Sequence, residues 1–379
     1  MKVNIPDQLK ADVPQTKWGK ILSATPVVMA VVATMLAGLS SSEMTRAQYD
    51  RSLAAQQQSK AGDQWSFFQA KRLRGAFQRN SLDLLQGTVE VRPLDAAALK
   101  ASAEQLPAQL NRAEAQVKES LQRTAGGTKA AEPSKEALEQ YLQGSAQRQS
   151  EAAKVKTEML AVLDSSAGQQ AVSFLQRGEI PRSGAASAPD PRVKAALDAV
   201  ESLAPEPETT SLLAQVTDKI LEEAFGAARD QAQSFDGATK PVNQTIDLID
   251  NLLNRETACL QARPAAPASE GFVAASGASL SRDFTAARLR YAALRYEVEA
   301  RLNQAIANLY ELQVRKSNIS AERHQNRSQR FFYGMLGAQL GVIIATFAIA
   351  ARQRNLLWSL AAGAGLLAIG FATYVYLCI

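Results

Sequence analysis

The sequence predicts an all-α protein, with three transmembrane helices and a long helical, coiled-coil-like domain inserted between the first and second spans. Three observations carry that expectation. Residues 21–39, 331–351 and 356–379 are runs of 19, 21 and 24 residues without a charge, and about 20 apolar residues cross the ~30 Å hydrocarbon layer as a helix. Gly and Pro are scarce outside a few clusters, while Ala, Gln, Glu, Leu and Arg are abundant, a composition that favours long helices. No strand-like alternation persists along the 379 residues.

The elements follow in order. Residues 1–20 form a leader with Lys2, Lys10, Lys17 and Lys20. The first span, 21–39, is expected to be a retained anchor. No A-x-A site follows its apolar run, and Leu39 stands where a lipoprotein site would need Cys. No Pro occurs between Val27 and Arg92, so the helix can continue as a stalk through residues 40–90, with Gly87 as its stop. Residues 91–280 read as an inserted helical domain. There Asp95 is placed to cap a helix from about Ala96 to Thr124, and Gly126 and Gly127 end it. Pro133 opens the next helix. Residues 181–191 form a linker. Thr210 is placed to cap a helix holding Leu213, Val216, Ile220 and Ala224, and Pro241 to start another. Val242, Ile246, Ile249, Leu253 and Leu260 make one apolar stripe on that last helix. A final linker lies at 264–271.

A returning stalk helix is expected over 281–330. Its heptad columns are Tyr291, Val298, Ala305, Leu312 and Ile319, with Leu302 and Leu309 interleaved and Arg295 and Lys316 interrupting. The basic run at Arg323, Arg327 and Arg330 then passes without a break into the second span, 331–351, and Phe331, Phe332 and Tyr333 mark an interface. A short basic loop, 352–355, leads to the third span, 356–379. The leader and this loop lie on one side of the membrane. Both are basic, which places them in the cytoplasm and the large domain outside it. Arg315, Lys316, Arg323, Arg327 and Arg330 flank the second span on the outer side, which long translocated domains tolerate.

Charge and chemistry narrow the function classes. The formal net charge is +5, but residues 40–330 hold 36 basic and 35 acidic residues. The excess sits beside the apolar runs, so no concentrated basic face for nucleic acid is expected. Two cysteines, Cys259 and Cys378, are too few for a disulfide framework. One histidine excludes the two-His zinc helix, and Gly126 to Lys129 lacks the spacing of a phosphate loop. No cofactor, metal or catalytic residue is expected, and the protein reads as non-catalytic. His324 is the candidate pH sensor, opposed by Arg323 and Arg327 and favoured by Glu322.

Two patches are candidates for helix–helix interaction. Trp65, Phe68 and Arg72 recur at helical spacing with Gln69 and Lys71 beside them, giving an aromatic and basic face with Arg72 over a ring. Inside the second span Gly337 and Gly341 have G-x-x-x-G spacing, and Gln339 is placed to hydrogen-bond across the contact. No acid or base lies inside any span, which removes the usual warrant for a proton relay or pump.

Residues Gln64-Trp65-x-x-Phe68-Gln69-Ala70-Lys71 after a first span, a long helical insert and two closing spans resemble an uncharacterised family of bacterial inner-membrane proteins marked by Q-W-x-x-Y-Q-A-K. Phe68 stands where that family has Tyr, so any role of the hydroxyl is absent. The resemblance covers residues 20–75 and 285–379, leaving 90–280 outside it. It implies a bacterial, multi-pass topology and no mechanism. The expected partners are the lipid bilayer and a second copy of the chain or another membrane protein. The expected role is an integral membrane scaffold, with a membrane sensor or an oligomeric channel subunit as alternatives.

Overall fold

The computed structural model describes residues 17–125, 132–182, 189–261, 272–350 and 354–378. The leader up to residue 16, the glycine stop at Gly126 and Gly127, the linker at 264–271 and Arg352 fall outside them. Among the described residues the chain is all helical, with nine helices and no strand. They are α1 (Lys17–Thr88), α2 (Ala96–Ala125), α3 (Glu132–Asp164), α4 (Ser166–Arg177), α5 (Pro191–Glu201), α6 (Glu206–Gln215), α7 (Asp218–Gln261), α8 (Phe272–Ala350) and α9 (Arg354–Cys378).

Several boundaries have visible causes. Asp95 Oδ1 accepts from Ala97 N at 2.9 Å, so the α2 cap lies where the sequence places it. Thr210 is not a cap but lies inside α6. The cap is Thr217, whose Oγ1 accepts from Ile220 N at 3.3 Å. Pro241 does not start a helix either; α7 runs through it. Residues on both sides of the proline are buried, Phe235 and Thr239 before it and Val242 and Ile246 after it. That burial holds the axis through the one lost backbone bond. The break between α3 and α4 has no Pro or helix-ending Gly. It is made by Ser165, at φ −67° and ψ 151°, whose hydroxyl caps Gly168 N.

The chain forms two compact units. One comprises Met1–Ala61, Pro191–Leu221 and Asn308–Ile379; the other comprises Gly62–Asp190 and Glu222–Ala307. In the second unit, five helices share a core. Leu99 and Ala103 of α2, Met159 and Leu163 of α3, Val172 and Leu175 of α4, and Phe284 and Tyr291 of α8 close around α7. The apolar stripe of α7 finds its partners here through Val242, Ile246, Ile249 and Leu253. Leu260 packs instead against Leu106, Leu110, Ala152 and Val155. Burial pushes the Tyr291 hydroxyl up to about 12.

In the first unit, α5, α6 and α8 are tied by polar contacts. Asn308 donates to Glu201 at 2.8 Å, and Lys316 donates to the Val216 carbonyl at 2.7 Å and pairs with Asp218 at 2.5 Å. Lys316 therefore does not interrupt a seam with α1; it closes the corner between α6 and α7.

The same unit holds the apolar ends of α1 and α8 together with α9. Met29, Ala33, Leu36, Phe331, Ala338, Ala368 and Val375 form one buried cluster, and Ala345, Ala348 and Ala361 another. Among the described residues two helices are long and apolar enough to cross a membrane, over Ala24–Thr88 and Ser279–Ala348. The third run lies in α9, where Ser359–Val375 is the apolar stretch among the described residues.

Candidate functional site

The α1 and α8 helices run antiparallel within each unit, and small residues set their approach. On α1, Ala47, Ala54 and Ala61 are buried at intervals of seven, and on α8, Ala286, Ala293, Ala300 and Ala307 are buried at the same interval. A strict seven-residue period keeps one face turned to a neighbouring helix. Of the columns read in the sequence, Leu309 and Leu312 are buried. Tyr291 belongs to the five-helix core, Ala305 is exposed and Val298 and Ile319 are half-buried.

In the second unit the aromatic and basic stretch of α1 meets α8. Trp65 and Phe68 pack edge to face with centroids 5.3 Å apart. Lys71 pairs with Glu299, and its ammonium lies 5.5 Å from the Tyr296 ring centroid. Arg72 lies 5.8 Å from the Phe68 ring centroid, and Gln69 is exposed. A Cβ on Gly75 would come within 3.5 Å of Tyr296 Cβ and 3.6 Å of the Ala293 carbonyl, so the two backbones are close there. Beside this approach is an open cleft of ≈ 340 Å³, walled by Phe68, Arg72, Arg79, Glu297, Arg301 and Gln304 over a floor of small residues. Glu297 is shared by two guanidinium groups, pairing with Arg79 through Oε2 and with Arg301 at 2.5 Å through Oε1.

His324 lies in the first unit, against α1. Its Nδ1 is 2.6 Å from Glu43 Oε2, and its Nε2 is 3.9 Å from Asp50 Oδ2. Glu43 lies 281 residues earlier in the chain. Ser40 and Ser328 bond next to it, hydroxyl to carbonyl in both directions at 3.0 and 2.8 Å. Arg51 bonds Gln325, each one residue beyond the Asp50–His324 pair.

Of the candidates Gly337, Gln339 and Gly341, only Gly341 sits at a helix contact. A Cβ there would collide with the Met29 methyl and lie 3.6 Å from Ala364 Cβ. Gly337 has open space around it and Gln339 is exposed. The packed face is Gly334, Ala338, Gly341, Ala345 and Ala348. G-x-x-x-G spacing fixes the distance between small residues but not which of two neighbouring faces they occupy.

Residues 18–162 match the family model of a domain of unknown function (DUF4337). The match includes residues 64–71. It extends through α2 and most of α3, into the segment that the resemblance was expected to leave out, and does not take in residues 285–379. No curated protein and no solved structure matches the chain.

Two carboxylates, Glu114 and Glu256, are buried in the second unit. Glu114 accepts from Ser145 at 2.8 Å and Gln149 at 2.6 Å and pairs with Arg148. Near them the free Cys259 is buried, and burial pushes its thiol up. Glu256 is 4% exposed, bonds Ser102 through Oε1, and has no hydrogen-bond partner for Oε2 among the described residues. Burial pushes its carboxyl above the usual 4.5, against the Ser102 bond. The folded form therefore holds this proton more tightly than the unfolded chain. The stability it contributes is fully present below about pH 4.5 and is lost as pH rises through the raised folded value. Glu256→Gln removes the charge and keeps an acceptor for Ser102. It should raise the stability of the full chain in detergent at pH 8 by about 1–2 kcal/mol, with the difference vanishing toward pH 4 in thermal melts.

Proposed function

We propose that the chain is a membrane-anchored, non-catalytic scaffold of the bacterial inner membrane. In this reading the apolar ends of α1 and α8 and the α9 helix lie in lipid, and the remaining helices form an extracytoplasmic region that assembles with a second copy of the chain. The observation that carries the membrane part is the distribution of side-chain size in the first unit. Ala338, Ala345, Ala348 and Ala361 are fully buried, while Val27, Met35, Leu340, Phe347, Leu366 and Leu367 are more than half exposed. In water that arrangement is inside out, because large apolar side chains belong in the core. In lipid it is the expected one, because helices approach through small residues and face the acyl chains with large ones. Only 17% of the most apolar window of α1 and 33% of that of α8 is buried, which is far from the burial of a soluble core helix.

The assembly part is supported by the long α1–α8 pair and by α1 itself. Below its seam with α8, α1 leaves Leu73, Phe77 and Leu84 exposed along one face. The test is the mass of the tagged full chain in mild detergent. Dimers or larger species that persist on dilution are expected; monomers alone at high concentration overturn self-assembly.

A further inference from the structure

We propose that the cleft between α1 and α8 in the second unit binds a small organic phosphomonoester, held by Arg72, Arg79 and Arg301. The inference does not depend on the membrane reading. Three guanidinium groups and one carboxylate line the cleft. Glu297 is already divided between Arg79 and Arg301, one carboxylate oxygen to each. Arg72 contacts the Phe68 ring and has no carboxylate partner among the described residues. The lining therefore carries a surplus of two positive charges in a concave site, the amount that a phosphomonoester dianion would neutralise.

Charge type and shape both favour this ligand class. Guanidinium groups present planar, paired donors that match phosphate oxygens bidentately. Arg79 and Arg301 converge on the same carboxylate, so their donors are already aimed at one place. At ≈ 340 Å³ the cleft has the size of a small-ligand site, not that of an extended peptide groove. The floor is apolar and low, made by Gly75, Ala76, Ala293 and Ala300, with the Phe68 ring at one side. A Cβ at Gly75 would already be in van der Waals contact with α8. An aromatic or other flat apolar group attached to the phosphate would lie on that floor, and its charge would reach the arginines at the rim.

A soluble ester and a lipid headgroup offer the same phosphate, so the test has two arms. Phenyl phosphate is titrated calorimetrically into the full chain in neutral detergent. Separately, the chain is placed in nanodiscs of phosphatidylcholine with or without phosphatidic acid, and contact of the cleft with phosphate is read by ³¹P relaxation. Saturable binding in either arm, weakened at least tenfold by Arg72→Gln with helix content unchanged, supports the site and names its source. Arg301→Gln, which leaves the Arg79–Glu297 pair intact, should weaken binding in the same arm. Absence of saturable binding in both arms overturns the proposal. So does binding unaffected by Arg72→Gln, or tighter binding of an acidic peptide than of phenyl phosphate.

Discussion

Gly168→Ala should lower the stability of the α3–α4 corner by about 3 kcal/mol, at the upper end for a single added methyl group. The reason is what the methyl would meet. A Cβ at Gly168 would overlap the Val162 carbonyl oxygen outright, and it would lie 2.8 Å from the Val162 carbonyl carbon and 3.2 Å from Leu163 Cα. All three are backbone atoms, so no rotamer change relieves the clash. Either α4 leaves α3 or the last turn of α3 unwinds. Both outcomes cost the core, because Leu163 on one side of the corner and Ala171, Val172 and Leu175 on the other belong to the same buried cluster. The Ser165 cap on Gly168 N would go with it. For a unit of this size the loss corresponds to a fall in melting temperature of roughly 6–12 °C. Gly226→Ala is the control. Nothing lies within 4 Å of a Cβ there, in the interior of α7, so the methyl should stabilise by about 0.5–1 kcal/mol through helix propensity. If the two variants melt alike, the close approach at the corner is wrong.

Leu340→Lys is the second large effect, and its sign depends on the solvent. Leu340 is 59% exposed on α8, at the middle of the uncharged run 331–351. In water, an exposed Leu→Lys change falls within about ±0.5 kcal/mol and improves solubility. In a bilayer, a lysine at the centre of a spanning helix costs about 2.5–3.5 kcal/mol in insertion, roughly two orders of magnitude in the inserted fraction. The lysine sits too deep for easy relief by snorkelling, and no acid on the facing helices is available to pair with it, since α1 and α9 carry none in their apolar runs. Leu340→Val should behave as the unaltered chain does, which separates charge from shape. Gly341→Val, one residue on, should act differently. It would press on Met29 and disturb packing among the three helices without barring insertion.

How much of this was legible in the sequence depends on whether a feature is local. The Asp95 cap and the α7 stripe from Val242 to Leu253 are set by neighbours within a few residues, and the structure places them as read. The break at Ser165 is hidden in the sequence because Ser165 and Ser166 sit in a helix-forming stretch without Pro, and only the extended backbone of Ser165 and its bond to Gly168 make it a cap. Pro241 was read as a start because proline disfavours a helix interior. Burial on both sides of it overrode that preference.

The seam between α1 and α8 was missed for a different reason. Ala47, Ala54 and Ala61, and Ala286 to Ala307, recur every seventh residue, but alanine is so frequent in this chain that the period does not stand out by composition. The larger Tyr291 drew the seam to the face that packs on the five-helix core. Searching for the smallest residues at a seven-residue period, on both long helices at once, would have found it. The surroundings of His324 could not be found in this way. Glu43 and Asp50 reach it only because two helices far apart in sequence are antiparallel in register. The cleft has the same origin, since Arg72 and Arg79 come from one helix and Glu297 and Arg301 from the other.

Whether lipid surrounds the three uncharged runs is measured most directly by extracting membranes that contain the full chain with alkaline carbonate and floating them on a density gradient. The account predicts that the unaltered chain and Leu340→Val stay with the lipid while much of Leu340→Lys is lost from it. Recovery of the unaltered chain in the aqueous fraction as a folded, helical, non-aggregated species would contradict it.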